Sequence, residues 1–409
     1  MNNKSSKFHY SWVVMAACGA ILFYSIGLSF NCFTVFLSPL RETLGLNGAQ
    51  SSSIVSIVNI GSVVGMLAAG PLYKKVGART ITYVSGLLMA AGAFLYGFAG
   101  GLWTCYIAAI ITGAGFGAGS IIPASLFISA WFEKKRGFAM GIASACTGLA
   151  TIIFSPVFAW IIKTISLRSA FLLDGAIIFL LSTICFLLIR NKPADKGLFP
   201  YGYEGDQDES VAVPETGLTF KEALRTPRYY FMLFSVLVIG VTVQPLISHM
   251  SAIYTTNGYD AIFAAFMVSV YGITMLICKP LYGFLNDKLG VSRGCIITYA
   301  AILCSFVVGF FVWEQIPAFL FAILIGMGVA PLATLNFPLW IGAAFGTRDM
   351  SSIFTSYKIP FYAVGSAAAT LPGIFLDSTG SYLGVLRIYL VCGIISFVLM
   401  KIVLKKTYS

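Results

Sequence analysis

The sequence predicts an all-α membrane protein of twelve transmembrane helices, arranged as two six-helix bundles. Three observations predict it. The 409 residues are 58% hydrophobic and only 10% charged, with a mean hydropathy of +0.89, far outside the soluble globular range. Apolar windows of about 20 residues, enough helix to cross a hydrocarbon core of about 30 Å, recur along the whole chain. One long polar stretch, Asn191 to Arg228, divides these windows into two groups of six.

The expected spans are 11–39, 50–73, 80–99, 102–130, 137–163 and 168–189, then 229–255, 261–285, 294–313, 318–342, 351–375 and 383–404. Bundles over 1–190 and 229–409 then flank a linker over 191–228. Span one follows a polar, basic N-terminus but is too long for a signal peptide and lacks a small-residue cleavage site, so it is read as retained. With the N-terminus inside, Lys74, Lys75, Arg79, Lys134, Lys135, Arg136, Lys288 and Arg293 fall in cytoplasmic segments, whereas Arg41, Lys163, Arg168 and Arg387 fall outside. That bias favours an even number of spans with both termini cytoplasmic, in the cell membrane of a prokaryote. Topology therefore explains the net charge of +11. No basic soluble module is present for a nucleic-acid role.

Span four contains Gly113-Ala114-Gly115-Phe116-Gly117-Ala118-Gly119. A G-x-G pattern inside an apolar span suits close helix packing, not a dinucleotide. In the linker, an acidic cluster at Glu204, Asp206, Asp208 and Glu209 precedes Leu218–Leu224, which has the pattern of one or two amphipathic turns at the membrane surface. The nine cysteines show no C-x-x-C spacing and no histidine cluster, so neither a metal nor a cofactor is expected. No nucleophile and base pair appears either, which argues against an enzyme.

Two residues stand out. Lys279 in span eight and Lys358 in span eleven sit at membrane depth, in segments with no acidic residue at a comparable depth. A cation in hydrocarbon is costly and marks a substrate pathway. Lys279 precedes Asp287 by eight residues, a rise of about 12 Å, and Lys358 lies at a similar rise above the start of its own span. Two ammonium groups at one level suit a single small anion. The bland alternative is that either lysine snorkels to the interface.

The halves share a local pattern. Gly70-x-x-x-Lys74-Lys75-Val76-Gly77-Ala78-Arg79 follows span two, and Gly283-x-x-x-Asp287-Lys288-Leu289-Gly290, then Arg293, follows span eight. This signature resembles that of the major facilitator superfamily, and the resemblance covers the chain. Trp131-Phe132-Glu133-Lys134-Lys135-Arg136-Gly137-Phe138-Ala139-Met140-Gly141 is similar to a stretch of the oxalate:formate antiporters and related monocarboxylate transporters. So are Leu218 to Tyr230 before span seven and Asp377-Ser378-Thr379-Gly380-Ser381-Tyr382 before span twelve.

The resemblance implies a secondary transporter of small organic anions in which two bundles rock around a central site, with no cofactor and with a monomer sufficient. It implies that Lys279, and Lys358 in Thr355-Ser356-Tyr357-Lys358, occupy the family's carboxylate-binding positions, with Tyr357 beside them. Animal monocarboxylate carriers have an aspartate one turn before the span-eight cation and a lysine in span one; Met275 and Asn31 stand here. No acidic carrier is therefore expected at the site, so charge is balanced by anion exchange or by a proton entering with the carboxylate. Asn31, flanked by Phe30 and Phe33, departs from the aromatic wall of oxalate antiporters and favours lactate, pyruvate or glycolate. The superfamily pattern assigns gating to Gly283, Asp287, Lys288 and Gly290, with Arg136 on the facing surface.

Two further positions stay open. His249, late in span seven, is either a gate-side donor sensitive to pH or an interfacial histidine satisfied by water or backbone. Asn336, between Pro331 and Pro338 in span ten, either faces the substrate or satisfies carbonyls freed by the prolines. The main alternative function is a facilitator moving a neutral or amphipathic solute, as in drug efflux.

Overall fold

A computed structural model describes residues 9–46, 48–203, 217–259, 261–368 and 371–405. The acidic cluster of the linker and the side chain of Lys74 lie outside the described residues. The chain divides into two compact helical units, Met1–Pro214 and Glu215–Ser409.

In the first unit, span one is three segments: Ser11–Leu22, a π-helical stretch Phe23–Cys32, and Phe33–Leu44. Spans two, three, five and six are Gly48–Val76, Ala78–Gly97, Arg136–Thr164 and Leu167–Leu188. Span four breaks at Ser120, between Leu102–Gly119 and Ile121–Trp131. Its glycine run is a packing surface. A Cβ on Gly113 or Gly117 would collide with the backbone of Val58 or Ser62 in span two, and one on Gly115 with the Ser85 carbonyl in span three. Small residues thus allow backbones to touch where hydrocarbon offers no hydrophobic drive between helices.

In the second unit, spans seven, eight, nine and twelve are Pro227–Thr256, Ala261–Leu289, Val291–Val308 and Leu383–Lys405. Span ten passes from Gln315–Pro331 through a π-segment, Leu332–Asn336, into Phe337–Phe345. Pro331 and Pro338 remove two amide donors there, which loosens the regular ladder. Among the described residues, eleven helices carry an 18-residue window apolar enough to cross a membrane. Span eleven, Met350–Ala368 followed by Leu371–Thr379, is not among them. Its start is polar, with Ser351, Ser352, Thr355, Ser356 and Lys358.

Polar side chains tie the second unit together. The Ser235, Ser396 and Tyr299 hydroxyls join spans seven, twelve and nine, at 2.8 and 2.7 Å. Such bonds are worth about 0.6 kcal/mol each on average in a membrane. Each end of the linker docks on its own unit. Tyr201 pairs with the loop after span four, its amide donating to the Trp131 carbonyl at 2.8 Å and its carbonyl accepting from Glu133 N at 3.0 Å. Leu218 N donates to the Phe345 carbonyl after span ten, at 2.8 Å. Thr219 then caps a short helix, Phe220–Leu224, by a reciprocal capping box with Glu222. The amphipathic turn expected at Leu218–Leu224 is this capped helix.

Candidate functional site

Lys279 and Lys358 are each 1% exposed, both within the second unit. Neither snorkels out of it. Lys279 lies beside Pro280, a turn before Gly283, on the face of span eight that also buries Met275, Cys278 and Tyr282.

Lys358 is enclosed by aromatic rings. Its Nζ lies 5.0 Å from the Phe361 centroid, 5.1 Å from Phe337, 5.3 Å from Tyr362 and 5.7 Å from Phe354. Phe354, Phe361 and Tyr362 come from one face of span eleven through the i−4, i+3 and i+4 positions. Phe337 reaches in from span ten, where its ring meets Phe361 edge-on at 5.3 Å. Ring faces attract a cation by about 0.5–2 kcal/mol each, without cancelling its formal charge.

The neighbouring candidates do other work. Tyr357 turns away from Lys358, as adjacent residues on a helix must. Its hydroxyl donates to the Tyr229 carbonyl at 3.1 Å, and its ring packs on Tyr229 at 4.9 Å. Asn336 is wholly buried and lies between two polar partners. It accepts from Asn286 Nδ2 at 3.2 Å and donates to Thr298 Oγ1 at 2.8 Å. Spans eight, ten and nine are thereby joined one residue before Asp287. His249 is half-buried and faces Tyr382, with ring centroids 6.1 Å apart.

Of the gating positions, Asp287 and Lys288 are exposed and Gly283 is buried, while Gly290 starts span nine at φ 83°. Arg136, in the first unit, donates to the carbonyls of Phe132 at 3.1 Å and Ser129 at 2.9 Å. It therefore closes the carbonyl end of the helix before it, where a cation is also favoured by the helix dipole.

The first unit holds Asn31 in the π-segment of span one. Its Nδ2 donates to Thr151 of span five at 3.1 Å. Phe30 stacks on Phe116 at 5.2 Å and Phe33 lies 5.2 Å from Tyr96. One residue escaped the sequence reading: Asp174, 5% exposed inside span six. The signal was there, an acid within the apolar run Phe171-Leu172-Leu173-Asp174-Gly175-Ala176-Ile177.

The chain is 24% identical to rat monocarboxylate transporter 12, over 94% of this chain and 82% of that one. It is 22% identical to the oxalate:formate antiporter of Oxalobacter formigenes, over 90% and 84%. Among solved structures, the Escherichia coli fucose:proton symporter FucP superposes with a TM-score of 0.74 at 16% identity, over 96% of this chain and 99% of that one. The proton:xylose symporter XylE gives 0.71 at 14%, over 97% and 95%; both likenesses concern the fold alone. The family model described as Major Facilitator Superfamily matches residues 18–370. With two six-span units, the repeated glycine signature and this match in hand, the chain belongs to the Major Facilitator Superfamily.

Proposed function

We propose that this protein is a secondary transporter of small organic anions, with monocarboxylates such as lactate, pyruvate or glycolate as the substrate class. The observation that carries the reading is the pair of lysines, each 1% exposed, in spans eight and eleven of one unit. Holding an ammonium group at membrane depth costs about 2.5–3.5 kcal/mol even on the lower scale, a cost that packing alone does not require, since leucine or methionine would fill the space. The aromatic enclosure of Lys358 fixes the position of its amino group among four ring faces. A carboxylate entering beside it gains charge-assisted hydrogen bonds in a dry setting.

Asn336 and Tyr357 are positioning residues in this account. Asn336 ties together spans eight, nine and ten, and Tyr357 anchors the start of span eleven on span seven. Asn31, in the first unit, donates to Thr151 and adds a polar group among the rings of Phe30 and Phe33. The names of the relatives, monocarboxylate transporter and oxalate:formate antiporter, agree with the proposed substrate class.

The test is counterflow in proteoliposomes with labelled mono- and dicarboxylates, comparing the native chain with Lys279→Gln and Lys358→Gln. Saturable carboxylate counterflow that both substitutions abolish, in variants with unchanged melting behaviour, is the expected result. Carboxylate transport indifferent to both lysines, or transport only of neutral solutes, would overturn the reading.

A further inference from the structure

Asp174 lies seven residues into span six, about 10 Å from the start of that helix. Protein, not lipid, encloses it. Phe171, one turn earlier, stacks on Phe36 at 4.3 Å and on Tyr96 at 5.3 Å, and the Phe94 ring covers the adjacent Gly175. Its Oδ1 has no hydrogen-bond partner among the described residues. A buried polar group in this state is costly, and an intramembrane acid is by default a functional one.

The groups around it are mostly neutral. Span one presents Cys32, within electrostatic reach of Asp174, and span three presents Tyr96, whose own hydroxyl also has no hydrogen-bond partner among the described residues. Span five contributes Phe158 against Phe36, with Lys163 in its last turn. Arg168, on the same helix as Asp174, lies over the Phe98 ring at 4.3 Å. Arg41 is exposed near the end of span one.

The span-one side of this cluster is the π-segment. Cys32 faces Ser155 at 3.5 Å, and its neighbour Asn31 donates to Thr151. π-turns are rare inside α-helices and are found frequently at functional sites. The π-segment thus holds Cys32 within electrostatic reach of Asp174 and carries Asn31 beside it.

We propose that Asp174 binds the transported proton, taking up one proton for each carboxylate carried. The inference rests on the organic-anion reading and resolves it toward electroneutral symport. One H⁺ and one carboxylate enter together and leave together, with no net charge moved.

The test uses proteoliposomes containing the full chain, with lactate as the probe and a pH dye inside. A one-unit gradient, acid outside, supports about tenfold accumulation for a one-to-one symporter. The native chain and Asp174→Glu are expected to approach it. Asp174→Asn is expected to lose it, together with the dye signal, while lactate counterflow at equal pH persists. Accumulation by Asp174→Asn equal to that of the native chain would overturn the proposal, as would loss of equal-pH counterflow in both variants, which would mark a structural position. Should the native chain carry no carboxylate, the anion reading fails and infrared spectroscopy decides this one. A carboxylic-acid C=O band that responds to the pH of the medium and is missing from Asp174→Asn supports proton binding; an identical band in both proteins contradicts it.

Discussion

Gly77 and Gly290 hold the same unusual backbone conformation, φ 87° and ψ 148° in the first unit, φ 83° and ψ 153° in the second. Each stands directly before the helix that follows the repeated glycine signature. That region of φ and ψ is essentially closed to residues with a Cβ. The repeat seen in sequence is thus a repeat of backbone geometry, even though the acid at Asp287 is replaced by Lys74 in the first unit.

Substituting Gly290→Ala will lower stability by about 1–3 kcal/mol. At Gly294 the cause is different: a Cβ would strike the Asn286 side chain. A thermal melt of the purified protein checks both, and an unchanged melt for Gly290→Ala would contradict the backbone argument.

Asn336→Leu will leave Asn286 Nδ2 and Thr298 Oγ1 each short of a buried partner. The expected destabilisation is about 1–3 kcal/mol. Replacing Asn286, Thr298 and Asn336 together by apolar residues of similar size should restore part of it. If the triple variant is less stable than Asn336→Leu, the trio does more than hold three spans together.

The enclosure of Lys358 predicts a graded response. Phe361→Leu keeps most of the volume but removes one ring face, and weakens carboxylate binding by up to about tenfold, equal to about 1.4 kcal/mol. Phe361→Tyr keeps the face and should bind nearly as the native chain does. Titration with lactate or pyruvate separates the two.

Much of the fold was legible because each span is a long apolar run with punctuated ends, and hydrocarbon tolerates little else. Lys279 and Lys358 were legible for the same reason: charge stands out against that background. The π-segments at Phe23–Cys32 and Leu332–Asn336 were not, since a single shifted hydrogen-bond register leaves the apolar pattern intact. Nor was the contact of Tyr357 with Tyr229, which depends on how span seven packs against span eleven. Asp174 was visible but stood apart from every motif, and only its enclosure gives it weight.

A dependence on pH follows from the docked linker. The His9 ring meets Tyr201 edge-on at 5.6 Å, its Nδ1 lies 2.8 Å from Ser11 Oγ, and burial holds its imidazole below the ordinary value. The undocked segment therefore takes up a proton first as pH falls. Docking is complete above the ordinary histidine value and weakens as pH drops through it, below about 6.5. Hydrogen exchange at residues 199–203, corrected for intrinsic rate, should rise on acidification, and His9→Gln should remove the rise.

The central claim is that Lys279 and Lys358 hold one carboxylate between them. Equilibrium titration of lactate or pyruvate against the native protein, Lys279→Gln, Lys358→Gln and the double variant tests it most directly. A charge-assisted hydrogen bond of about 1.5–3 kcal/mol predicts at least about a tenfold loss for each single variant. Shared ligand predicts strong coupling, with the double variant binding little worse than the weaker single. Independent, additive losses, or unchanged affinity in either single variant, would contradict the account.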